Sequence, residues 1–463
     1  MLTRTLFAAA SALSLAACAT GPDYVAKPVS TAAAAPFVSA NTPAVSLAQP
    51  AGDWWRLYRD PVLDGLVRDA LAANTDIRVA TARLARARAL LRETRAAREP
   101  QVGLGASAQY GRSAAAGAPG QGGTDLQVGV GLDVAYEADL FGRLSRSAEA
   151  ARGEVGAAAA DADAVRVAIV ADTTRAYADA AGAAERMAVA ERIVALLGQS
   201  LALTERRHRV GLANGLDTAR IAALRDQRRA EVPLLAAERT SALLRLATLT
   251  GRTPRELPPI AAARTATLRL DQPIPVGDGA GLLARRPDVR AAERRLAAAT
   301  ARIGVATADL YPRITLGGSV GSTASGLGNL LNPVSWLVGP LINWTANRSA
   351  ARARIAAAQA DTQAALATFD GSVLNALEET ETALSTYGRI LERRAALESA
   401  RTQAETAARI TRARQREGQI DSLELLDAER TAADAQASVA EADARIAQAQ
   451  IDLFRSLGGT WNS

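Results

Sequence analysis

Residues 125–137 read DLQVGVGLDVAYE, and their side chains alternate with a period of two. Leu126, Val128, Val130, Leu132, Val134 and Tyr136 fall on one face, opposite Asp125, Gln127, Gly129, Gly131, Asp133 and Glu137. That period predicts a β-strand with one apolar face. The stretch QVGLGASAQYG (101–111) alternates in the same way, with Val102, Leu104, Ala106, Ala108 and Tyr110 on the apolar side. A loop rich in Gly and Ala (113–124) joins the two. A second pair, PRITLGGSVGS (312–322) and VSWLVGPLINW (334–344), is joined by a Gly/Ser-rich turn. Strands of about ten residues, apolar outward and polar or glycine inward, are the signature of a membrane β-barrel. A half-buried soluble hairpin alternates too. The aromatics Tyr110, Tyr136, Trp336 and Trp344 near strand ends, together with the N-terminal sorting segment, favour the membrane. Four strands cannot close a barrel, for which about eight is the minimum, so the strands require an oligomer; a trimer supplies about twelve.

The strands interrupt a chain that is otherwise helical. No proline occurs from Arg143 to about Arg207, or from Arg348 to about Gln415. Each run predicts a helix roughly 100 Å long at 1.5 Å per residue. Each turns at a glycine, Gly211 or Gly418, and a second helix returns over 220–250, with Pro233 inside it, or over 421–457. Aromatics make up 4% of the 463 residues and alanine carries most of the apolar character, which suits close helix–helix seams. The net charge is +6, with arginine interleaved among Asp and Glu, and Lys27 is the only lysine. No basic cluster is interleaved with aromatics, so nucleic acid is not an expected partner.

Leu6 to Ala16 form a short apolar run after Arg4, ending in Leu15-Ala-Ala-Cys18. The run is too short for a stable transmembrane helix and resembles a bacterial lipoprotein signal. Cys18 would become the lipidated N-terminus, and Ala19 after it resembles outer-membrane sorting. No later stretch offers about 20 consecutive apolar residues, so no membrane-spanning helix is expected in the mature chain. With one histidine and one cysteine, the chain excludes His/Cys metal sites and Ser–His or Cys–His nucleophiles. It has no GxxxxGK[ST] loop, and His208, among Arg206, Arg207 and Arg209, is expected to be a solvated surface residue. No enzyme activity, metal or cofactor is expected beyond the covalent lipid on Cys18.

Residues 288–319 repeat the framework of 76–107 without a gap. Asp76/Asp288, Arg78/Arg290, Arg83-Leu-Ala85/Arg295-Leu-Ala297, Pro100/Pro312, Leu104-Gly105/Leu316-Gly317 and Ser107/Ser319 coincide. The shared proline stop and the change of period after it argue for internal duplication. The expected organisation is a signal peptide (1–17), a lipidated extended tether (18–59), a first repeat (60–251), a linker (252–281) and a second repeat (282–463). The first repeat comprises helices over 60–98, a β-hairpin over 101–138 and a helical hairpin over 143–250. The second comprises a helix over 288–310, a β-hairpin over 312–344 and a helical hairpin over 348–457.

Along this framework run Cys18-Ala-Thr-Gly-Pro-Asp-Tyr24, Asp53-Trp-Trp55, Asp60-Pro-Val-Leu63 and Ala70-Leu-Ala-Ala-Asn74. They are followed by Asp139-Leu-Phe-Gly-Arg143, Leu283-Ala-Arg-Arg-Pro-Asp288, Tyr311-Pro312 and Leu425-Leu-Asp-Ala-Glu429. In this order the motifs resemble the TolC-like outer-membrane efflux channels, in the lipoprotein branch that serves RND-type multidrug pumps. The resemblance implies a mainly α fold with membrane β, four strands per protomer entering a 12-stranded trimeric β-barrel continuous with a periplasmic α-barrel. It implies a homotrimer in the outer membrane, docked to a periplasmic adaptor and an inner-membrane pump. Where the family often has a Phe-Asp-Gly-Gly-Arg-like turn, this chain reads Ile342-Asn-Trp-Thr-Ala-Asn-Arg348, which blurs that strand–helix junction.

The stretch EGQIDSLELLDAER (417–430) breaks the second long helix. Gly418 suits a helix C-terminus, and Asp421 with Glu424 suits a capping box. In the first repeat Asp217 keeps the cap, but Arg220 and Ala223 stand where Glu424 and Asp427 do, so capping leaves the acidic stripe unexplained. The resemblance assigns Leu423 and Asp427 to apolar and acidic rings of a periplasmic gate, Glu424 to a second acidic position, and Asp217 to the outer hairpin tip. Ile420 replaces the family's basic latch residue. The expected function is a passive export duct for drugs or other small molecules. Alternatives are the exit duct of a type I protein-secretion system and a structural coiled-coil or adhesin lipoprotein.

Overall fold

Helix dominates the chain, and its order follows the changes of sequence period. The computed structural model describes residues 20–28, 30–50, 52–112, 124–270, 272–325, 334–420 and 422–459. The signal segment, Cys18 and Asp421 lie outside the described residues. The helices are α1 (Thr31–Ala34), α2 (Pro61–Ala73), α3 (Thr75–Ala96), α4 (Arg143–Arg209), α5 (Gly215–Leu249), α6 (Gly279–Arg285), α7 (Pro287–Ala308), α8 (Ser349–Arg416) and α9 (Ser422–Ser456). The strands are β1 (Val45–Ser46), β2 (Gln101–Arg112), β3 (Thr124–Ala138), β4 (Ile274–Pro275), β5 (Arg313–Ser325) and β6 (Val334–Asn343). The chain divides into one unit of Met1–Lys27, Arg83–Ala159 and Ala291–Asp370, and a second of Pro28–Ala82, Ala160–Arg290 and Gly371–Ser463.

The first unit holds an antiparallel sheet in the order β2-β3-β5-β6. Its register pairs Leu104 with Leu132 and Tyr110 with Leu126, Leu132 with Val320, and Val320 with Trp336. Because the side-chain period is two, these pairs align one apolar face across all four strands. Leu104, Tyr110, Trp336 and Val338 on it are each more than 70% exposed, at 79, 75, 77 and 73%. A contiguous exposed face of this kind marks a surface meant for another phase or partner. The opposite face carries Gln109, Asp133, Glu137, Ser319 and several glycines, but β6 adds Leu337 and Leu341 to it. Among the described residues β2 and β6 are the edges of this sheet, each paired on one side only.

The two strand–helix junctions are closed differently. Before α4, Asp139 accepts from the backbone of Leu144 and Ser145 at 2.9 and 2.7 Å, while Arg143 pairs with Glu137 at 2.6 Å. Before α8, Asn347 accepts from the Ser349 backbone at 3.1 Å, and the Arg348 guanidinium lies 5.2 Å from the Trp344 ring centre. The atypical Ile342–Arg348 segment therefore makes a defined junction with different chemistry.

The expected extended tether is partly built into the fold. In the first unit Thr20 donates through Oγ1 to the Phe141 carbonyl at 2.9 Å. Arg146, whose side chain is 6% exposed, holds Asp23 at 2.7 Å. Gly21, at φ 89°, crosses Gly304 so closely that a Cβ would sit 2.4 Å from the Gly304 Cα. Lys27 pairs with Asp370 at 2.8 Å. In the second unit Glu381 accepts from the Val38 and Ser39 backbone, β1 pairs in parallel with β4, and Trp54 stacks on Phe454 at 4.6 Å. A Pro/Ala-rich segment has no period to announce these contacts; the paired tryptophans were the available signal. The linker is core material too, with Leu268, Ile274 and Val276 buried and α6 starting inside it behind an Asp278 cap.

The rest of the second unit is held by buried polar residues in the motifs. Asp60 caps α2, accepting from the Val62 and Leu63 backbone through one oxygen. Its other oxygen accepts from the Tyr177 hydroxyl at 3.0 Å and Arg264 at 2.9 Å. Burial first, then the Asp60 charge, pushes the Tyr177 phenol upward. Arg286 pairs with Asp288 and Glu379 at 2.6 and 2.7 Å and donates to the Ser456 carbonyl at 3.0 Å, so the Arg-Arg-Pro-Asp motif staples α7 to α8 and the end of α9. α4 also contains an 18-residue window of mean hydropathy 1.3, apolar enough by length and composition to cross a membrane. The stretch is not a run of about 20 consecutive apolar residues, so it does not overturn the expectation drawn from such runs; alanine counts as apolar whether it packs against lipid or a helix.

Arg286→Ala strips three partners at once. It is expected to lower stability by about 2–4 kcal/mol, read as a fall in the thermal unfolding midpoint of the purified protein. Burial raises the Asp288 carboxyl, but the Arg286 contacts outweigh it and leave it below its usual range. Its contribution is therefore present above the unfolded-state pKa of about 3.9 and lost as pH falls through the lower folded value. The variant should flatten that acid-side loss; an unchanged slope and midpoint would remove the staple.

Candidate functional site

Both helical hairpins turn on the same backbone device. At the first, Gly211 has φ 77°, its N–H donates to the His208 carbonyl at 3.0 Å, and Leu212 donates to Arg207 at 2.8 Å. At the second, Gly418 has φ 73°, its N–H donates to Gln415 at 3.1 Å, and Gln419 donates to Arg414 at 2.9 Å. This paired hydrogen bonding over a left-handed residue is the Schellman motif. His208 donates from Nδ1 to the Ala213 carbonyl at 2.8 Å and is exposed.

The return helices start differently. Asn214, not Asp217, caps α5: its side chain accepts from the Asp217 backbone at 2.9 Å, and Asp217 accepts from the Asn214 backbone at 3.3 Å. The expectation for Asp217 is corrected by three residues. Asn at this position satisfies the same orphan donor, and Asp217 is the reciprocal member of the capping box. Around that turn Val210, Leu212 and Leu216 are exposed.

On α9 the structure brings Leu423, Glu424 and Asp427 onto one exposed stripe. Leu423 is 52% exposed. Glu424 lies 3.9 Å from Arg414, and Asp427 pairs with Arg430 at 2.9 Å. The opposite face is buried: Leu425 is 2% exposed, and Leu426 packs partly against Ile193, Leu197 and Leu224. Sequence reasoning missed three contacts. Arg430, Arg207 (which donates to the Gln415 carbonyl at 2.7 Å) and the buried Glu429 with Arg412 all hold the tips. The i,i+3 spacing of Asp427 and Arg430 was a readable signal; the other two depend on contacts between distant segments. Among the described residues no group of three or more His, Cys, Asp or Glu is placed to hold a metal.

Long helical hairpins in one chain with a sheet of one exposed apolar face and two open edges define a membrane channel subunit. The sequence matches the family described as Outer membrane efflux protein over residues 66–252 and 281–459. It is 31% identical to Outer membrane protein OprJ of Pseudomonas aeruginosa, over 97% of this chain and 95% of that protein. It is 30% identical to Pyoverdine export outer membrane protein OpmQ of Pseudomonas putida, over 93% of each. The structure matches the outer-membrane channel OprN with a TM-score of 0.91 and 38% identity, over 96% of this chain and 100% of that one. The chain belongs to the outer membrane efflux protein family, and it is an outer-membrane channel component of an efflux system.

Replacing Gly418 with Ala forces a side chain into the left-handed region and is expected to destabilise by about 1 kcal/mol. Gly211→Ala should behave alike, because both turns use one geometry. Thermal unfolding of the two variants side by side checks this; a loss at one turn alone would show that the turns are not equivalent.

Proposed function

We propose that the chain is the outer-membrane subunit of a tripartite efflux assembly, a passive homotrimeric duct with no chemistry of its own. The observation that carries this reading is the four-stranded sheet with two open edges and a continuous exposed apolar face. Three copies joined edge to edge give a closed barrel of about twelve strands with the apolar face toward lipid and the polar face inward. The two series of helices and strands, matched at Pro100 and Pro312, support an internal duplication that gives each protomer two hairpins of each kind. Lipid on Cys18 anchors the subunit in the outer membrane.

The helical hairpins form the periplasmic part of the duct, and their exposed tips meet an adaptor protein that joins the channel to an inner-membrane RND-type pump. Energy comes from the pump, in keeping with a sequence that carries no GxxxxGK[ST] loop. Leu423, Glu424 and Asp427 line the periplasmic gate, with Asp217 at the outer tip and Gly211 and Gly418 setting the turns. Three copies of Asp427 around a narrow axis favour cations and repel anions. The OpmQ relative, named for pyoverdine export, supports small molecules as the exported class.

Purified protein recorded in planar bilayers tests the gate. Asp427→Ala is expected to lose cation selectivity or gain conductance, and a channel unchanged in both would refute this assignment. Cys18→Ser should abolish labelling by a radioactive fatty acid, whereas persistent labelling would place the lipid elsewhere.

A further inference from the structure

We propose that Glu429, acting through Arg412, is the positioning residue that sets which face of α9 meets the pore, a reading that rests on the gate proposed above. Glu429 belongs to the Leu-Leu-Asp-Ala-Glu motif, and the gate makes no use of it. Its side chain is 5% exposed. It accepts two hydrogen bonds from Arg412, from Nε at 2.5 Å and Nη2 at 2.8 Å, and a third from the Ser200 hydroxyl at 3.3 Å. Two parallel bonds to a planar guanidinium fix orientation as well as distance.

The clamp lies behind the stripe. Glu429 follows Asp427 by two residues, about 200° around a helix of 3.6 residues per turn. A carboxylate locked to α8 on one side therefore holds Leu423, Glu424 and Asp427 on the other. Leu426 packs on Ile193, Leu197 and Leu224 of the first hairpin, but the apolar packing between α8 and α9 themselves supplies little directional information. It consists of Ala404, Ala408 and Ala432, with Ala428 beside them, and alanines have no side-chain torsion to resist slip or rotation.

The first hairpin gives an internal comparison. Aligned on Gly211 and Gly418, which close the two turns alike, the first hairpin has Glu205 and Ala222 where the second has Arg412 and Glu429. An acid and an alanine cannot make this ion pair. The clamp is thus confined to the second hairpin. The contacts are also graded: the bidentate pair joins α8 to α9, while Ser200 of α4 adds one longer bond. Motion that parts the second hairpin from α4 needs to break only that bond at this carboxylate, and the stripe then moves with α8.

The test compares Glu429→Gln, Arg412→Lys and the exchange Glu429→Arg with Arg412→Glu in planar bilayers, alongside Asp427→Ala. Arg412→Lys keeps charge and size but loses the planar fork, so it reports on orientation even where Glu429→Gln fails to assemble. Both single variants should lower the melting midpoint, as loss of a buried charge partner requires, and should also raise the conductance of trimers with normal gel migration by about twofold or more, and the exchange should restore the original conductance. A purely structural role would move the melting midpoint and leave the conductance of assembled trimers alone; that outcome overturns the proposal. Wild-type conductance in the clamp variants with an altered Asp427→Ala channel would overturn the clamp and leave the gate standing. A silent Asp427→Ala would overturn both.

Discussion

The unpaired edges of β2 and β6 constrain everything else. In hydrocarbon each unsatisfied backbone N–H or C=O costs several kcal/mol. The same sheet carries an apolar face that water disfavours. The face draws the sheet toward lipid, while the edges forbid entry until they are paired. The proposed barrel meets both demands together, by joining edges of separate copies.

Below that constraint the helices face a different problem. Seams of alanine bring backbones close but specify register poorly, since one alanine resembles the next. The carboxylates along α9 supply what packing omits. Asp434 pairs with Arg228, Asp443 with both Arg269 and Arg394, and Asp452 with Arg175. Glu429 adds Arg412 to the series. Each acid meets arginine from a different segment, so axial slip would unpair several at once. Arginine suits this role better than lysine because its fork binds a carboxylate in one orientation. The single lysine of the chain then looks like a consequence of how the helices are aligned.

Most of the architecture was legible because it depends on local period. The change from helical spacing to alternation at Pro100 and Pro312 marked the strands, and the proline-free runs marked the long helices. What stayed hidden depends on contacts between distant residues. The segment before Asp60 has no period, so its packing on Glu381, β4 and Phe454 could not be read. β6 is apolar on both faces, so Leu337 and Leu341 emerged only from the register. At the first turn, Asn214 and Asp217 are both good capping residues, and the choice between them followed from where α5 begins. At the tips, Leu423, Glu424 and Asp427 were legible as a stripe, but their setting by buried groups on the far face was not.

The two turns separate what the backbone requires from what it does not. Both close with a left-handed glycine and the same pair of backbone hydrogen bonds. Any difference between the hairpins beyond the turn is therefore free of the folding problem that the turns share. The first hairpin spends this freedom on exposed Val210, Leu212 and Leu216, a surface suited to docking. The second places acids and a leucine on one face of α9 and a locked carboxylate on the other. A solvated helix face would not need a buried ion pair behind it to fix its direction. The stripe has such a pair, and on the proposed reading the pair sets its orientation as well as leaving its charge exposed.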